Sequence, residues 1–553
     1  MPKGKKKSSI ESTKNTFYGK AIENWLTNTN ELGYQLPFCQ ILVNEGFRLV
    51  HISKHNAFEQ GKDIIAVDTK GRPHIYQLKR GNVALGEWRS IVKAELEELI
   101  DLKIVHPSVN KSLKPIPYLV TNGYLEDTVR LQLDNLNAGK WKHNPIKVIV
   151  LGELLEKFLK WSYEFTPQEI SNYKNFLDLY FADGKGPTDE EKIAILLGST
   201  LQLESEKLNK EECKRNISAA ILFTSYIVSP FKKEENHISI VQILVILLSY
   251  ILALIEKHNL PDQYWKGSFD LVWSEIRNHL GKLETEVKEG GLDTIYQSVW
   301  DGEIAPYRKH IAVVYLLGYK LSQILESDEQ WTDLGQEQYL EKIIPSLTVW
   351  GETSLLAYVF LFEYLFMVTN RDRDSIAFLV IALQLILRFN GKKPDEEVPE
   401  GLQSPYYKIE TGINTILGLE EEESPVNENF HKRSFMIKPI VELFARHQRK
   451  DILEIAWRAI TYIQQERFIP DQKWMFFLWH SNQGKHRMEY PKQTQSWAEL
   501  KAEADEINME EIPNSLVRMP FLIPLYLLVY PHRINTNLIK FLDQSLGSSV
   551  PAV

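Results

Sequence analysis

The sequence predicts an α/β N-terminal domain, with a mixed central sheet flanked by helices, followed by a large, mostly α-helical region. Three observations predict it. Up to about residue 160, short β-forming runs alternate with helix-period segments, and beyond that strand-like alternation is scarce. Charge follows the same partition: residues 1–160 hold 24 Lys and Arg against 17 Asp and Glu, net +7, whereas the whole chain is −9 and the remainder −16. At 553 residues, the chain is also too long for one ordinary domain.

The N-terminal elements follow in order. A basic tail (residues 1–14) contains Lys3, Lys5, Lys6 and Lys7, which supply four of the front charges. Gly33 to Phe47 reads as a helix, with Phe38, Ile41 and Leu42 at helical spacing and Gly46 as its stop. Phe47 to Val50 reads as a strand, and Ile64 to Val67 and His74 to Leu78 as two more, joined by the polar turn Thr69-Lys70-Gly71. Glu87 to Lys103 is an amphipathic helix with Trp88, Ile91, Leu96, Leu99 and Ile100 on or near one face. Pro117 to Asn122 is a strand, Glu126 to Leu136 a helix, Ile146 to Leu151 a strand and Glu153 to Leu159 a closing helix.

The chemistry concentrates on the hairpin. If its turn is centred on Lys70, Asp63 lies opposite Gln77, and opposed residues of an antiparallel pair share a face with Cβ atoms roughly 5 Å apart. Lys79, two residues beyond Gln77, points the same way. A carboxylate, an amide oxygen and an ammonium group then converge, which suits metal-assisted phosphodiester hydrolysis. A hard cation, Mg²⁺ or Mn²⁺, neutralises phosphate oxygen and acidifies an attacking water. Mg²⁺ needs only one or two protein carboxylates. Asp63 and Gln77 are the candidate ligands, with the Leu78 backbone carbonyl or Glu59 completing the shell and Lys79 stabilising developing charge. Because Gln77 is neutral, modest metal affinity is expected. Taken alone, Asp63 and Lys79 also fit an exposed pair worth well under about 1 kcal/mol.

Four segments together resemble a known family. Tyr34-Gln35 through Gly46-Phe47 is similar to a first helix and Gly-aromatic turn. Gly61-x-Asp63-Ile64-Ile65 is similar to a Gly-x-Asp motif, and Gln77-x-Lys79 to a Gln-x-Lys tripeptide. Leu119-Val120-Thr121-Asn122, followed by Val148 to Leu154, is similar to later strands and a terminal helix. In this order they resemble the PD-(D/E)XK nuclease superfamily, most closely its Mrr-like restriction endonuclease branch, over about residues 15–160. The resemblance implies a restriction-endonuclease-like fold with Asp63 as metal ligand, Gln77 in place of a second acidic ligand and Lys79 as catalytic lysine. The family often carries Glu on its first helix; here that place falls on Gln35, which stands with Glu59 as an accessory candidate. Lys62, Arg80 and Arg89 are the candidate DNA-contacting cations. The resemblance further implies a cytoplasmic endonuclease acting on double-stranded DNA in bacterial defence against phage or other foreign DNA. It would act as a homo-oligomer or with a partner defence protein. A decayed nuclease fold serving as a scaffold, or an RNA substrate, are the readings the residues leave open.

The remaining chain reads as a connector (161–190) and an all-helical regulatory, sensor or assembly region (191–553), with a candidate split near 391–428. Thr188 is the expected N-cap after the Gly184–Pro187 linker. Ile238 to Ile255 approaches membrane-span length, but recurrent polar positions favour a buried core helix and no membrane association. Leu355–Val368 and Ile376–Leu387 read as an antiparallel core pair, bridged by Asn370–Asp374. The aromatic concentration at Trp474, Phe476, Phe477, Trp479 and Tyr490 reads as core ahead of a base-stacking surface. His431, His447, His480 and His486 lack ligand-like spacing. Cys39 and Cys213 alone cannot build a disulfide framework, consistent with a reducing compartment. A phosphate-binding Gly-x-x-x-x-Gly-Lys-Ser/Thr loop and an apolar leader are both absent from the sequence.

Overall fold

The computed structural model describes residues 14–53, 62–104, 109–110, 112–161, 173–290, 305–326, 347, 352–368, 372–390, 433–478, 486–489 and 491–549. By contact density the chain divides into two compact units. One comprises 1–182, 195–230 and 260–272, and the other 183–194, 231–259 and 273–553. The units therefore interleave along the chain, where the sequence reading sets a domain to 160, a connector over 161–190 and a helical region from 191.

The first unit opens with α1 (Phe17–Asn28) and α2 (Glu31–Asn44). The Thr16 hydroxyl caps α1 by accepting from Gly19 N–H at 3.1 Å, and the Asn30 side chain caps α2 by accepting from Gly33 N–H at 2.8 Å. α1 was not expected, although Phe17, Ala21, Ile22, Trp25 and Leu26 recur at helical spacing and are all buried. α2 ends as anticipated: Gly46 takes φ +90°, where a side chain would be strained. Three strands follow, β1 (Arg48–Ile52), β2 (Ile64–Val67) and β3 (Pro73–Lys79). Next come α3 (Leu85–Glu87), a π-helical segment Trp88–Val92 and α4 (Lys93–Asp101). β4 (Ile116–Thr121), α5 (Asp127–Ala138), β5 (Lys147–Ile149) and α6 (Leu151–Lys160) complete the sheet and its cover.

The sheet order is β1-β2-β3-β4-β5, with β1, β2 and β3 antiparallel and β4 and β5 added in parallel. Mixed pairing of this kind needs helical crossovers before β4 and β5, and α4 and α5 supply them. One sheet face (Ile65, Val67, Ile75, Leu119) packs on Trp88, Val92, Leu96 and Leu99 and on Val129 and Leu133 of α5. Ile91, expected near that face, is instead half exposed. The other face meets α2 and α6; Phe38 packs edge-on to Tyr76 at 5.6 Å. Alternate residues of β3 thus point to opposite sides, and the chain ends of β2 and β3 meet at Asp63 and Gln77.

Further along lie α7 (Tyr173–Tyr180), α8 (Glu190–Leu201), α9 (Lys210–Lys233), α10 (His237–His258), α11 (Lys266–Gly290), α12 (Ala305–Glu326), α13 (Leu356–Glu363) and α14 (Asp372–Asn390). Asp189, not Thr188, caps α8, its carboxylate accepting from Lys192 N–H at 2.9 Å. In the first unit the Asn28 side chain donates to Ser218 on α9 at 2.7 Å. In the second unit α10 is long and apolar enough to cross a membrane, yet almost all of its apolar stretch is buried. α13 and α14 pack together as expected, although a π-helical segment Tyr364–Val368 extends α13. Asn370 and Arg371 of their bridge, and the candidate split at 391–428, lie outside the described residues.

The region after 191 is mostly helical but not wholly so. Arg433–Ser434 pairs with Gln464–Gln465 in parallel, and Arg467–Pro470 pairs with His486–Glu489 antiparallel. Trp474, Phe476 and Phe477 are buried, and Phe476 stacks on Tyr526, so these aromatics form core. Trp479 and Tyr490 lie outside the described residues, as do His431 and His480. His447 Nε2 lies 3.1 Å from a carboxylate oxygen of Asp543.

Candidate active site

The hairpin register places the site. β2 and β3 pair as Ile64↔Tyr76, Ile65↔Ile75, Ala66↔His74 and Val67↔Pro73. The turn-centre argument expects Asp63 opposite Gln77, but the ladder stops at Ile64↔Tyr76: Asp63 N–H also turns to Tyr76 O while its carbonyl accepts from Ser53 N–H, so Asp63 breaks the register. Gly71 holds the turn with φ +77°, and the Asp68 carboxylate accepts from the N–H groups of Lys70 and Arg72, both at 2.9 Å. Asp63 N–H donates to Tyr76 O at 3.0 Å, and the Asp63 carboxylate accepts from Leu78 N–H at 2.6 Å. Gln77 and Lys79 share parity with Ile75 on β3 and face α4, whereas the Asp63 carboxylate caps the edge of β3 at Leu78 N–H. Asp63, Gln77 and Lys79 retain 9, 7 and 8% exposure, respectively.

Two features make this more than a surface pair. Among the described residues, the Gln77 side-chain oxygen is buried with no hydrogen-bond partner. A buried polar atom without a partner is costly and calls for an explanation. Lys79 is ion-paired with Glu95 of α4 at 2.7 Å. Burial alone would depress the Lys79 pKa; Glu95, helped by Glu31 and Asp63, outweighs it and holds the ammonium above the ordinary lysine range. Glu95 was not singled out from the sequence. The signal was present: it stands three residues after Val92 and four before Leu99, both fully buried, so an acid sits on a sheet-facing stripe.

The other expected residues distribute as follows. The Gln35 amide donates to the Asp63 backbone carbonyl at 3.4 Å, a contact to main chain. Its neighbour Tyr34 donates its hydroxyl to Lys79 O at 2.8 Å, fixing the end of β3. Leu78 N–H points toward β2, and in a strand the carbonyl of the same residue points the same way, so the Leu78 carbonyl is turned toward Asp63 as well. Lys62 departs from expectation. Its side chain is 1% exposed and burial pushes its pKa down to about 8 despite Glu98, so it is not presented to a phosphate backbone. Arg80 is exposed but ion-paired with Glu211 of α9, and Arg89 is exposed on the π-helical segment. Glu59 lies outside the described residues.

Beyond β3 the chain is clamped. Gly81 N–H donates to the Asn122 side chain at 2.7 Å, and the Asn122 amide donates to Leu26 O at 2.6 Å and Thr29 O at 3.0 Å. Gly123 lies so close to Gly81 that an added Cβ would stand 2.1 Å from its backbone. These contacts tie the ends of β3 and β4 to the α1–α2 junction and hold Lys79 in register.

The donor set fits an oxygen-seeking divalent ion in part. It offers one carboxylate (Asp63), one unpaired amide oxygen (Gln77) and one carbonyl (Leu78). Among the described residues, no group of three or more His, Cys, Asp or Glu is placed to hold a metal. An ion here would therefore lean on neutral oxygens and retained water, as Mg²⁺ does. No protein-family model, curated protein or solved structure matches the chain.

Proposed function

We propose that the protein is a metal-dependent endodeoxyribonuclease whose site is built on the β2–β3 hairpin. The observation that carries this reading is that the Asp63 carboxylate meets the end of β3 that bears Gln77 and Lys79, at Leu78 N–H, with the Gln77 oxygen buried and unpaired. Mg²⁺ or Mn²⁺, when bound, would supply charge neutralisation and an acidified water. Asp63 and Gln77 would hold it, with the Leu78 carbonyl beside them. Lys79 keeps a full positive charge where a scissile phosphate accumulates negative charge, and Glu95 and the clamp beyond β3 restrict its movement. Because all three side chains are over nine-tenths covered, a phosphodiester reaches them only after a local opening.

The mixed sheet order and the net +7 of residues 1–160 support a polyanionic substrate and the Mrr-like resemblance. On that resemblance, we place the enzyme in the cytoplasm as an effector of defence against foreign DNA. It would be restrained by its acidic helical region and work as an oligomer or with a protein partner.

The test is supercoiled-plasmid cleavage with Mg²⁺ or Mn²⁺ by wild type, Asp63→Ala and Lys79→Ala, with labelled RNA in parallel. Cleavage by wild type that both variants lose supports the reading; cleavage of RNA alone changes the substrate. The observation favouring a non-catalytic scaffold is the enclosed Lys79–Glu95 pair, which by itself could serve as a structural ion pair. Absence of cleavage by wild type with either metal, with the fold intact, selects that alternative.

A further inference from the structure

We infer that a polar cavity in the second unit binds a small hydroxylated oxyanion, a polyol carrying a phosphate or carboxylate group, and that the buried ammonium of Lys438 receives its charge. The inference stands apart from the nuclease reading and concerns the helical region alone.

The cavity has a volume of about 410 Å³, within the range of small-molecule sites. Its floor comes from helices Ile437–Arg446 and Thr536–Ser549 and from the end of helix Trp497–Asp505. Lys438 and Glu442 stand one turn apart on the first helix and pair at 3.0 Å, and Lys540 of the second reaches the same carboxylate at 3.0 Å. These three side chains belong to residues only 5, 1 and 4% exposed, respectively. Two enclosed ammonium groups against one enclosed carboxylate leave the floor at net +1. Buried charge is costly unless it is met by an opposite charge or by hydrogen bonds.

The two lysines meet that demand differently. Lys540 donates to the main-chain carbonyls of Glu503 at 2.9 Å and Glu506 at 2.6 Å, fixed acceptors at a helix end. Lys438 turns to the Glu503 carboxylate at 2.8 Å, on a side chain that is 45% exposed. Glu503 is therefore a counter-ion at the rim, and an incoming oxyanion can take its place beside Lys438. A charge-assisted contact to an enclosed ammonium is stronger than one made in open water.

The walls define the rest of the ligand. The amides of Gln465, Gln493, Asn535 and Asn537 line the cavity, each with donor and acceptor capacity suited to hydroxyl groups. Arg467 and Glu511 pair at 2.6 Å, and Glu511 also accepts from Asn537 at 3.0 Å, so this part of the wall is braced and electrically balanced. Glu489, Glu506 and Lys492 are exposed at the rim, where water screens them. Among the described residues, Pro491 is the one apolar side chain of the lining, and no aromatic ring is present to stack on a base. A compact hydrophilic anion fits this lining, and a nucleobase or an acyl chain does not.

The experiment is isothermal titration calorimetry on the full-length chain with glycerophosphate and gluconate, against inorganic phosphate, glycerol and spermidine. At least one polyol anion is expected to bind about tenfold or more tightly than inorganic phosphate or glycerol, and the better of the two identifies phosphate or carboxylate as the charged group. Lys438→Gln is expected to weaken that binding about tenfold or more. Glu503→Gln removes the competing carboxylate and is expected to tighten it about threefold or more. Should circular dichroism show Lys438→Gln to be unfolded, the half-exposed Glu503→Gln decides alone. Unchanged or weaker binding by Glu503→Gln overturns the inference, as does full binding by a folded Lys438→Gln. So do equal affinity for inorganic phosphate, preference for spermidine, or no saturable binding of either polyol anion up to about 10 mM.

Discussion

Gln77 shows how much turns on a single neutral oxygen. Its side-chain oxygen is buried and unpaired, so replacement by Glu would bury a carboxylate where no donor meets it. An enclosed carboxylate without a partner takes up a proton or the fold loosens. Gln77→Glu is therefore expected to lower Tm in EDTA, by the equivalent of about 1–3 kcal/mol, and to bind Mn²⁺ more tightly than wild type, recovering Tm as metal is added. Differential scanning fluorimetry with and without Mn²⁺ reads both effects; a variant indifferent to metal would dissociate Gln77 from any ion site. Lys62 carries the opposite lesson. Next to the motif and basic, it reads as a phosphate contact in sequence, yet it lies inside at 1% exposure. Adjacency along a chain says nothing about which way the residue at a strand's edge is covered.

At the level of elements, the β3–β4 ends matter more than the strands themselves. Asn122 joins Gly81 to Leu26 and Thr29 through three hydrogen bonds. Asn122→Ala would strand three backbone groups, two of them bonded to a 2%-exposed amide, and is expected to cost about 2–4 kcal/mol in urea denaturation. Gly123→Ala should be comparably damaging, because its Cβ has backbone, not flexible side chain, in the way; a neutral effect would show that the two loops are free to part. The hairpin was legible because its information is local: a turn centre at Lys70 and a period of two give the pairing of Ile64–Val67 with Pro73–Tyr76 and the common side of Gln77 and Lys79, but not the break at Asp63. α1 was equally legible by its period but lies before Tyr34, where the first of the four family-like segments begins. The π-helical insertion was not, since a helix pattern in sequence gives no sign of one extra residue in a turn.

At the scale of the whole chain, the second unit should be acid-sensitive at a buried histidine pair. His237 and His279 bring their Nδ1 atoms to 2.9 Å, while Glu286 and Glu275 face their Nε2 atoms at 3.0 and 3.2 Å. Lys232 pairs with Glu275 on the same cluster, and Lys282 adds positive charge nearby. Burial, then the charges of His279 and Lys282, push His237 down to about 4. The unfolded chain therefore binds the extra proton first as pH falls below the ordinary histidine range. Stability from keeping His237 neutral is complete above that range and is lost as pH falls toward 4, at up to about 1.4 kcal/mol per unit. Urea denaturation at pH 7, 6 and 5 should show wild type losing ground to His237→Gln over that interval; parallel slopes would mean that the imidazole titrates normally in the fold.

The sequence by itself determined the partition into a mixed α/β front and a mostly helical remainder, and the register of the β2–β3 hairpin about Lys70. Both are consequences of short-range periodicity and of where a turn must fall. Only the tertiary structure decided that Glu95 meets Lys79, that Asn122 clamps the strand ends, that Lys62 is withdrawn, and that segments 195–230 and 260–272 belong with the N-terminal unit. Each of these depends on contacts between residues far apart in the chain, whose geometry no local pattern encodes.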